Sequence, residues 1–590
     1  MARGKKNTNG NGKQLTTQQS VNSAIKSICD IMRRSNCAGA MQYVPELTWI
    51  LFLRILDETE IREADEHEAL GIEFKPSLSV PFRWQDWAAA PFNEKITVSQ
   101  NGHRQGWRRK ELNDGPMGDF FKFVNQELIP HLRGLESLPN ATPRQRVISE
   151  IMSGIERVRI DTERNFLDVI DKVQEISVHT VDPIHVFPLS QVYEGLLLKM
   201  GEKNNDGGQF FTPREIIRAM VRTINPLVGE TVYDPGCGTG GFLAQSYEYM
   251  KDVLGADTTA DQLETLKHRT FYGREKENLI YPIALANLIL HGIDQPNIWH
   301  GNTLTNEKTY DGLFLDAPPQ YDVILMNPPF GGKEGKAAQT NFAYKTGATQ
   351  VLFLQHVMDS LKPGGRCGIV LDEGVLFRTN ETAFVQIKRK LLEEFDLWCI
   401  ISLPAGVFTT AGAGVKTNLL FFTKGKHTEK IWYYDLSDIK VGKKTPFTIN
   451  RFDEFFKLLP VRGDSERSWT IDFTARKQMA LEEAGPFKTT AREKEQQAAQ
   501  WKERLSELKK AAPSDRSTAM EAEQKITELI KEAREQSAKA GEIEDAVYDL
   551  KAVNPHAKGE EDTRTPEELL DLIEVKGREI EDALSVLRRR

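Results

Sequence analysis

Thr231-Val232-Tyr233-Asp234-Pro235-Gly236-Cys237-Gly238-Thr239-Gly240-Gly241-Phe242 is a short apolar run that breaks into glycines. Val and Tyr favour extended backbone, and the glycines after them let bare main chain approach a ligand where a Cβ would not fit. The stretch therefore predicts a strand, a tight loop and a helix start, the opening unit of an open α/β sheet with a nucleoside-bearing ligand at the strand end. Gly236-x-Gly238-x-x-Gly241 alone also satisfies the dinucleotide fingerprint, so an NAD or FAD enzyme fits it almost as well.

Downstream, the apolar run Val323-Ile324-Leu325-Met326 ends in Asn327-Pro328-Pro329-Phe330. An exocyclic amine on a base is a poor nucleophile because its lone pair is delocalised into the ring. The amide oxygen of Asn327 and the carbonyl of Pro328, aimed at the amino hydrogens, favour the positively charged nitrogen that develops during attack. The Asn NH2 is also a donor for the adjacent ring nitrogen. Pro328 and Pro329 stiffen the loop, and Phe330 offers a ring on which an extruded base stacks. An ordinary turn after a strand explains Asn-Pro-Pro-Phe by itself; the pair of motifs, in this order and each after a strand, points to group transfer onto an amino nitrogen.

The surrounding segments carry a resemblance to a known family. Gly208-Gln209-Phe210-Phe211-Thr212-Pro213-Arg214 precedes the glycine loop, and Phe271-Tyr272-Gly273-Arg274-Glu275 follows it. Ala286-Asn287-Leu288, Leu290-His291-Gly292, Gly301-Asn302-Thr303-Leu304, Gly374-Val375-Leu376-Phe377, Leu403-Pro404-Ala405-Gly406-Val407-Phe408 and Val415-Lys416-Thr417-Asn418 come after. With these motifs, residues 20 to 460 resemble the modification (M) subunits of Type I restriction-modification systems, adenine-N6 DNA methyltransferases that use S-adenosylmethionine.

The resemblance implies a Rossmann-like class I methyltransferase core. Gln209, Phe210, Phe211, Thr212 and Pro213 would surround the methionine part of the cofactor. Asp234, Gly236, Gly238, Thr239, Gly240, Gly241 and Phe242 would form its loop, Glu275 would accept from the ribose, and Asn302 and Thr303 would lie on the adenine side. Two departures stand out. Glu277 is a second acid beside Glu275, and Asp372-Glu373-Gly374 replaces the Pro-Asp-Gly frequent in the family. The residues support the ribose role independently, because vicinal hydroxyls are donors that a carboxylate accepts in bidentate fashion. A solvated Glu among the charges 274 to 277 is the plain alternative. Asn302 either contacts the cofactor or caps a turn. One of Phe210 and Phe211 is expected in the core, as is Tyr233.

Composition sets the frame. A chain of 590 residues exceeds one core's usual capacity, so about three domains are expected. The five cysteines, Cys29, Cys37, Cys237, Cys367 and Cys399, form no C-x-x-C pair and no zinc spacing, so neither disulfides nor a metal is indicated. Residues 1 to 13 are basic and polar without the apolar core of a signal peptide, and the apolar stretch from Leu47 to Leu56 is too short for a membrane span, so a cytoplasmic protein is expected. A net charge of −8 argues against a strong grip on DNA by this chain alone. The resemblance implies double-stranded DNA as substrate, a specificity (S) subunit that reads the site and binds two M subunits, and a motor-nuclease (R) subunit that joins them.

The organisation follows from periodicity. Residues 1–15 read as a disordered basic tail. Residues 16–185 read as a mainly helical domain, with Val21, Ile25, Ile28 and Met32 at helical spacing and Pro45 opening a second helix through Leu56. Residues 186–475 read as the methyltransferase core, with strands near Val232, Val323 to Met326, Gly368 to Leu371, Cys399 to Leu403 and Asn418 to Thr423 in a mostly parallel sheet. Residues 476–590 read as a C-terminal amphipathic helical arm. Trp501, Leu505 and Leu508, then Ile526, Leu529, Ala533, Ile543, Val547 and Leu550 mark its stripes, Pro513 and Pro555 break it, and Thr565-Pro566-Glu567-Glu568 restarts a last helix. The arm is either an intramolecular hairpin or a docking element for the S subunit.

Cytosine-N4 methylation uses the same amine chemistry. A protein-glutamine methyltransferase shares the Asn-Pro-Pro loop but typically lacks long helical flanks. A mainly architectural subunit is the reading from a different class, and intact glycine, acid and Asn-Pro-Pro motifs count against it.

Overall fold

The computed structural model describes residues 18–37, 40–90, 105–175, 212–254, 258–308, 317–408, 416–442, 445–511, 516–551, 553–556, 574 and 576–578. The expected basic tail, Gln209, Phe210, Phe211 and all of the helix expected after Thr565 except Glu574 and residues 576–578, which are helical, lie outside them.

The N-terminal region is helical. Its main helices are α1 (Gln18–Arg34), α2 (Ala40–Leu70), α3 (Pro143–Met152) and α4 (Glu163–Gln174). Ile25, Ile28 and Met32 are buried at the expected spacing. Helix α2 begins five residues before Pro45 and continues to Leu70, so Pro45 lies within it rather than opening it. As the sixth residue of α2, Pro45 lies past the four N–H groups that have no intrahelical acceptor and costs the helix one backbone bond, which burial of Val44, Leu47 and Leu51 around it offsets. Trp49, Phe120 and Phe166 meet in the core of the region.

Helix α5 (Arg214–Ile224) leads into the sheet. Burial of Ile216, Ile217, Met220, Val221 and Ile224, at about 1.5–3 kcal/mol each, outweighs what so short a helix gains from propensity. It forms because the sheet lies beneath it. There follow β1 (Val232–Asp234), α6 (Gly241–Asp252), α7 (Ala260–His268), β2 (Phe271–Glu275), α8 (Tyr281–Leu290), β3 (Asn297–Asn302), β4 (Glu307–Lys308) and β5 (Tyr321–Met326). Next are α9 (Thr349–Ser360), β6 (Leu361–Asp372), α10 (Glu373–Phe377), α11 (Thr382–Glu394), β7 (Phe395–Ser402), β8 (Thr417–Lys424), β9 (Lys430–Asp435) and β10 (Ser468–Asp472).

The strands form one sheet in the order β10-β9-β7-β8-β6-β5-β1-β2-β3-β4. Five of its nine pairings are parallel, fewer than a mostly parallel sheet would have. Half of the difference comes from β8, which lies antiparallel between β7 and β6, and half from the edge strands β4 and β10, each antiparallel to its neighbour. Val232, Val323 and Leu325 face one core layer with α5, α6 and α8. Tyr233, Ile324 and Met326 face the other with α9 and α11. Strand β1 has β5 on one side and β2 on the other, both parallel to it, so the strand order reverses there and a crevice opens at the carboxyl ends.

The chain then leaves the sheet as two long helices, α12 (Phe473–Ala511) and α13 (Arg516–Ala546), packed against each other. Buried Ala484, Ala491 and Ala498 recur every seven residues on α12, and Ile526, Ala533 and Ala540 do so on α13. A seam of alanines on a seven-residue repeat lets two backbones approach closely along a shared supercoil. Lys494–Glu532 (2.6 Å) and Lys509–Glu523 (2.8 Å) bridge the helices in antiparallel register. The apolar stripe of each helix is thus covered by the other, while Trp501, Leu505 and Leu508 are only half-buried. Both roots are tied to the core. Phe473 donates its N–H to Glu429 O at 2.8 Å, Leu550 donates to Leu376 O at 3.1 Å, and Val547, Tyr548 and Leu550 are buried among the core residues.

Candidate active site

One cleft at the carboxyl ends of β1, β2, β3 and β5 gathers Thr212, Asp234, Gly236, Gly238, Thr239, Gly241, Phe242, Glu275, Asn302, Thr303, Asn327 and Pro329. Pro213 is the residue before α5, Gly240 the residue before α6, and Pro328 is buried beside the cleft. Arg274, Glu277, Leu304, Glu334, Thr349 and Phe353 also line it, and of these the sequence singled out only Glu277 as a ligand group.

The glycine loop is held from every side. Gly236 N–H donates to Asp234 Oδ1 (3.1 Å), Gly238 N–H to Glu275 Oε2 (2.9 Å) and Cys237 N–H to Arg274 O (2.9 Å). Asn287 Nδ2 donates to Thr239 O at 2.9 Å, and Thr303 Oγ1 donates to Pro235 O at 2.5 Å. Gly240 has φ of +79°, a conformation that costs any other residue, and turns the chain into α6. A Cβ on Gly241 would sit 2.9 Å from Ile217 Cδ1, so the start of α6 packs close on α5 and a larger residue there would make the Ile217 side chain shift. The N-terminus of α6, with its unpaired N–H groups, thereby opens on the cleft.

Glu275 does more than expected of a ribose acid. Its Oε1 accepts from the N–H groups of Lys276 and Glu277, both at 2.7 Å, while Oε2 holds Gly238. The carboxylate stitches the end of β2 to the glycine loop, and lone pairs remain for a ligand. Glu277 is 47% exposed at its side chain and near Lys276. Asn302 caps a turn, its Oδ1 accepting from Leu304 N at 2.9 Å and from Thr305 N at 3.4 Å, and it lines the cleft as well. Asp372 accepts from Val375 N at 2.9 Å and starts α10, and Glu373 pairs with Lys416 at 3.0 Å, so the departure from Pro-Asp-Gly serves the turn.

Burial pushes the Asp234 carboxyl up to about 8, and the charge of Glu275 adds to this. Burial likewise pushes Glu275 up to about 7, with a further contribution from Glu277, against the backbone donors that favour the ionised form. An acid whose native pKa is raised binds its proton more readily folded than unfolded, so the cofactor-free protein loses stability as pH rises from the ordinary carboxylate range near 4 through about 8. Thermal unfolding without cofactor should show this decline, and Asp234→Asn should make it shallower. An identical slope in the variant would refute the assignment.

Asn327 has the geometry that its chemistry requires. Its Nδ2 donates to Thr212 Oγ1 at 3.0 Å, which fixes the amide plane. Its Oδ1 is buried and accepts from no group among the described residues. A buried acceptor without a donor costs free energy, so the site holds an acceptor ready for an incoming N–H. The donor suggested for a ring nitrogen is already engaged by Thr212 in one of its two hydrogens, a pairing across 115 residues that no sequence spacing signals. Phe330 lies edge-on to Phe408, with centroids 5.4 Å apart. After Phe330 the chain bends back: Thr349 donates N–H to Gly332 O (3.1 Å) and Oγ1 to Glu334 Oε1 (3.1 Å), closing one wall of the cleft. The glycine cradle, the acid at the end of β2 and the unpaired amide oxygen fit a nucleoside methyl donor beside an amine acceptor.

Comparison with known proteins agrees with this geometry. The family model "N-6 DNA Methylase" matches residues 186–475, and "HsdM N-terminal domain" matches residues 21–127. The chain is 35% identical over 422 residues to the Type I restriction enzyme EcoEI methylase subunit of Escherichia coli, covering 70% of this chain and 77% of that one. It is 31% identical over 449 residues to the StySJI methylase subunit of Salmonella typhimurium, covering 72% and 74%. Among solved structures, a modification subunit from Vibrio vulnificus YJ016 assigned to a type I restriction enzyme is similar with a TM-score of 0.63 and 31% identity, over 78% of this chain and 93% of that one. A chain from a study of assembly and conformational transition of the type I R-M system is similar with a TM-score of 0.58 and 32% identity, over 97% and 98%. Among the described residues no helix is long and apolar enough to cross a membrane, and no group of side chains is arranged to hold a metal.

Proposed function

The chain belongs to the N-6 DNA methylase family as a Type I modification subunit, an adenine-specific DNA methyltransferase, and from that premise we propose that it methylates N6 of an adenine flipped out of double-stranded DNA, with Asn327 and Pro328 as the acceptors for the amine. The buried Oδ1 of Asn327, without a donor among the described residues, beside the glycine-loop cleft carries this reading. S-adenosylmethionine, when bound, supplies an electrophilic methyl group. Asp234, Gly236, Gly238, Thr239 and Glu275 would hold it: the bare glycine backbone leaves room for it, the mouth of α6 would receive its polar atoms, and Glu275 would accept from its ribose. Thr212 and Pro213 approach from the start of α5, with Gln209, Phe210 and Phe211 expected beside them.

On the acceptor side, Thr212 keeps the amide of Asn327 in one plane so that Oδ1 faces the amine. Positive charge gathering on that nitrogen is met by Oδ1 and the Pro328 carbonyl, oriented before reaction and so without reorganisation cost. Pro329 stiffens the presenting loop, and Phe330 with Phe408 offers aromatic surface to a base that has lost its stacking neighbours. No residue serves as a covalent nucleophile in this scheme. All five cysteines are buried, and burial raises the Cys237 thiol well above its ordinary range.

The S subunit, two copies of this chain per S, and the R subunit are the proposed partners. With a net charge of −8 the chain has little general attraction for phosphate, so a partner that holds DNA is part of the reading. Since the seam of α12 and α13 is internally covered, docking falls to the outer surface of the hairpin, where Met479, Leu481 and Met520 are exposed. Co-expression with the neighbouring S subunit, followed by transfer from labelled S-adenosylmethionine and nucleoside mass spectrometry, tests the proposal. N6-methyladenine appearing only with the complex is expected. N4-methylcytosine would change the base, methylated protein the substrate class, and an inert but assembled complex would favour an architectural subunit.

A further inference from the structure

Helix α8 touches the cofactor loop on one side and the N-terminal helices on the other. Toward the loop, Asn287 is buried and donates to Thr239 O at 2.9 Å. The Leu288 side chain lies so close to Gly240 that a Cβ there would meet its carbons at 3.2–3.4 Å. The loop backbone therefore rests on α8 over two consecutive residues. On the other side, α2 and α3 of the N-terminal region pack against α8.

That second contact is fastened by one guanidinium. Arg144, near the start of α3, bonds Glu63 of α2 through both terminal nitrogens, at 2.8 and 3.0 Å. It also donates through Nε (2.9 Å) and Nη2 (2.5 Å) to Asp294, four residues beyond the end of α8. Glu60 lies 3.6 Å away, and Lys267 approaches Asp294 at 3.8 Å. The Arg144 side chain is only 13% exposed. Its position is prepared by a capping box in which Thr142 and Gln145 bond each other's backbone, while Gln145 Nε2 donates to Ser77 O at 2.9 Å. Glu60 in turn accepts from Ser77 N at 3.0 Å. Partly buried, multiply bonded ion clusters of this kind are costly to break, since loss of one partner leaves its counter-charges unmatched.

We infer that the N-terminal helical region is a brace for the cofactor loop: Arg144, by clamping Asp294 and Glu63, holds α8 where Asn287 and Leu288 support Thr239 and Gly240. Arg144, Asp294 and Asn287 are positioning residues that touch neither cofactor nor base. Because coupling between two sites is reciprocal, cofactor in the cleft tightens the seating of the helical region on α8, and whatever displaces that region loosens the hold on cofactor. The inference rests on the reading of the cleft as a cofactor site.

The test uses the full chain with S-adenosylhomocysteine as a non-reacting probe in titration calorimetry, together with amide hydrogen exchange of residues 236–241 in the cofactor-free protein. Arg144→Ala and the milder Asp294→Asn, which leaves Glu60 and Glu63 neutralised, should each weaken binding about 5–10-fold and speed exchange in the loop, a coupling of ordinary size. Asn287→Ala should weaken binding about 10-fold, and Arg144→Ala should add little to it, because both act through the same helix. Unchanged affinity and exchange in Arg144→Ala and Asp294→Asn would overturn the inference, as would effects that simply multiply in the double variant. A wild-type chain that binds no S-adenosylhomocysteine would remove the cofactor reading instead, while exchange in the loop would still decide whether the brace exists.

Discussion

Asn327→Ala is expected to reduce methyl transfer by about 10³-fold, the upper range for removing one preorganised electrostatic group from a transition state, while cofactor affinity changes by less than about 3-fold, within the noise of a lost peripheral contact. The asymmetry follows from the placement of the amide. Its nitrogen is committed to Thr212, and its oxygen is the buried acceptor with no donor among the described residues. The acceptor therefore does its work when an amine arrives. Thr212→Val provides a graded companion: the oxygen stays but its plane is released, so a smaller loss, on the order of 10-fold, is expected. Single-turnover methylation at saturating cofactor, with calorimetric cofactor titration of the same variants, separates the two effects. Equal losses of binding and turnover in Asn327→Ala would show that the residue supports the fold of the cleft.

Glu275→Ala should act on binding first. Three backbone N–H groups, those of Gly238, Lys276 and Glu277, lose their acceptor, and the ribose loses its own. An unsatisfied buried donor costs about 1–3 kcal/mol, less where water enters, so a loss of roughly 3 kcal/mol in stability and a rise of about 100-fold in the cofactor dissociation constant are expected together. Glu277→Ala, at a half-exposed position near Lys276, should stay within about 3-fold. The pair of titrations is decisive between neighbouring acids. A larger effect at Glu277 would transfer the ribose role to it and leave Glu275 as a stitch between β2 and the glycine loop.

The cleft was legible where a short segment carries its own chemistry. Asp234 to Phe242 and Asn327 to Phe330 are local: strand, turn residues and reactive groups lie within a few positions, and their conformations follow from glycine and proline. Contacts across the chain were not legible. Nothing near Thr212 announces Asn327, and nothing near Arg144 announces Asp294, 150 residues away. Strand β3 was hidden by its composition. Asn297 and His300 are buried within it, with Asn297 bonded to His268 O and Phe271 O, so hydropathy marks the segment as polar. Strand β9 escaped because Ile431-Trp432-Tyr433-Tyr434 is a continuous apolar run without alternation, and such a run does not separate strand from buried helix; β10, Ser468-Trp469-Thr470-Ile471-Asp472, alternates over only five residues and offers just two apolar positions. In the hairpin the expected stripe of α13 is buried at Ile526, Leu529 and Ala533, but on α12 attention to large side chains misled. Trp501, Leu505 and Leu508 are only half covered, whereas Ala484, Ala491 and Ala498 supply the seam, since close approach of two helices selects for small residues rather than bulky ones.

The alanine repeat also makes the hairpin a modular part. Because its contacts recur every seven residues on both helices, removal or insertion of one heptad in each leaves the remaining pairs in register and changes the reach of the arm by about 10 Å. A single-residue insertion turns everything beyond it by about 100° and throws the seam out of phase. Lineages carrying this arm can therefore alter the span between a methyltransferase core and whatever its tip meets in whole-heptad steps, with no change in the catalytic cleft. Length differences among their α12–α13 segments should fall on multiples of seven.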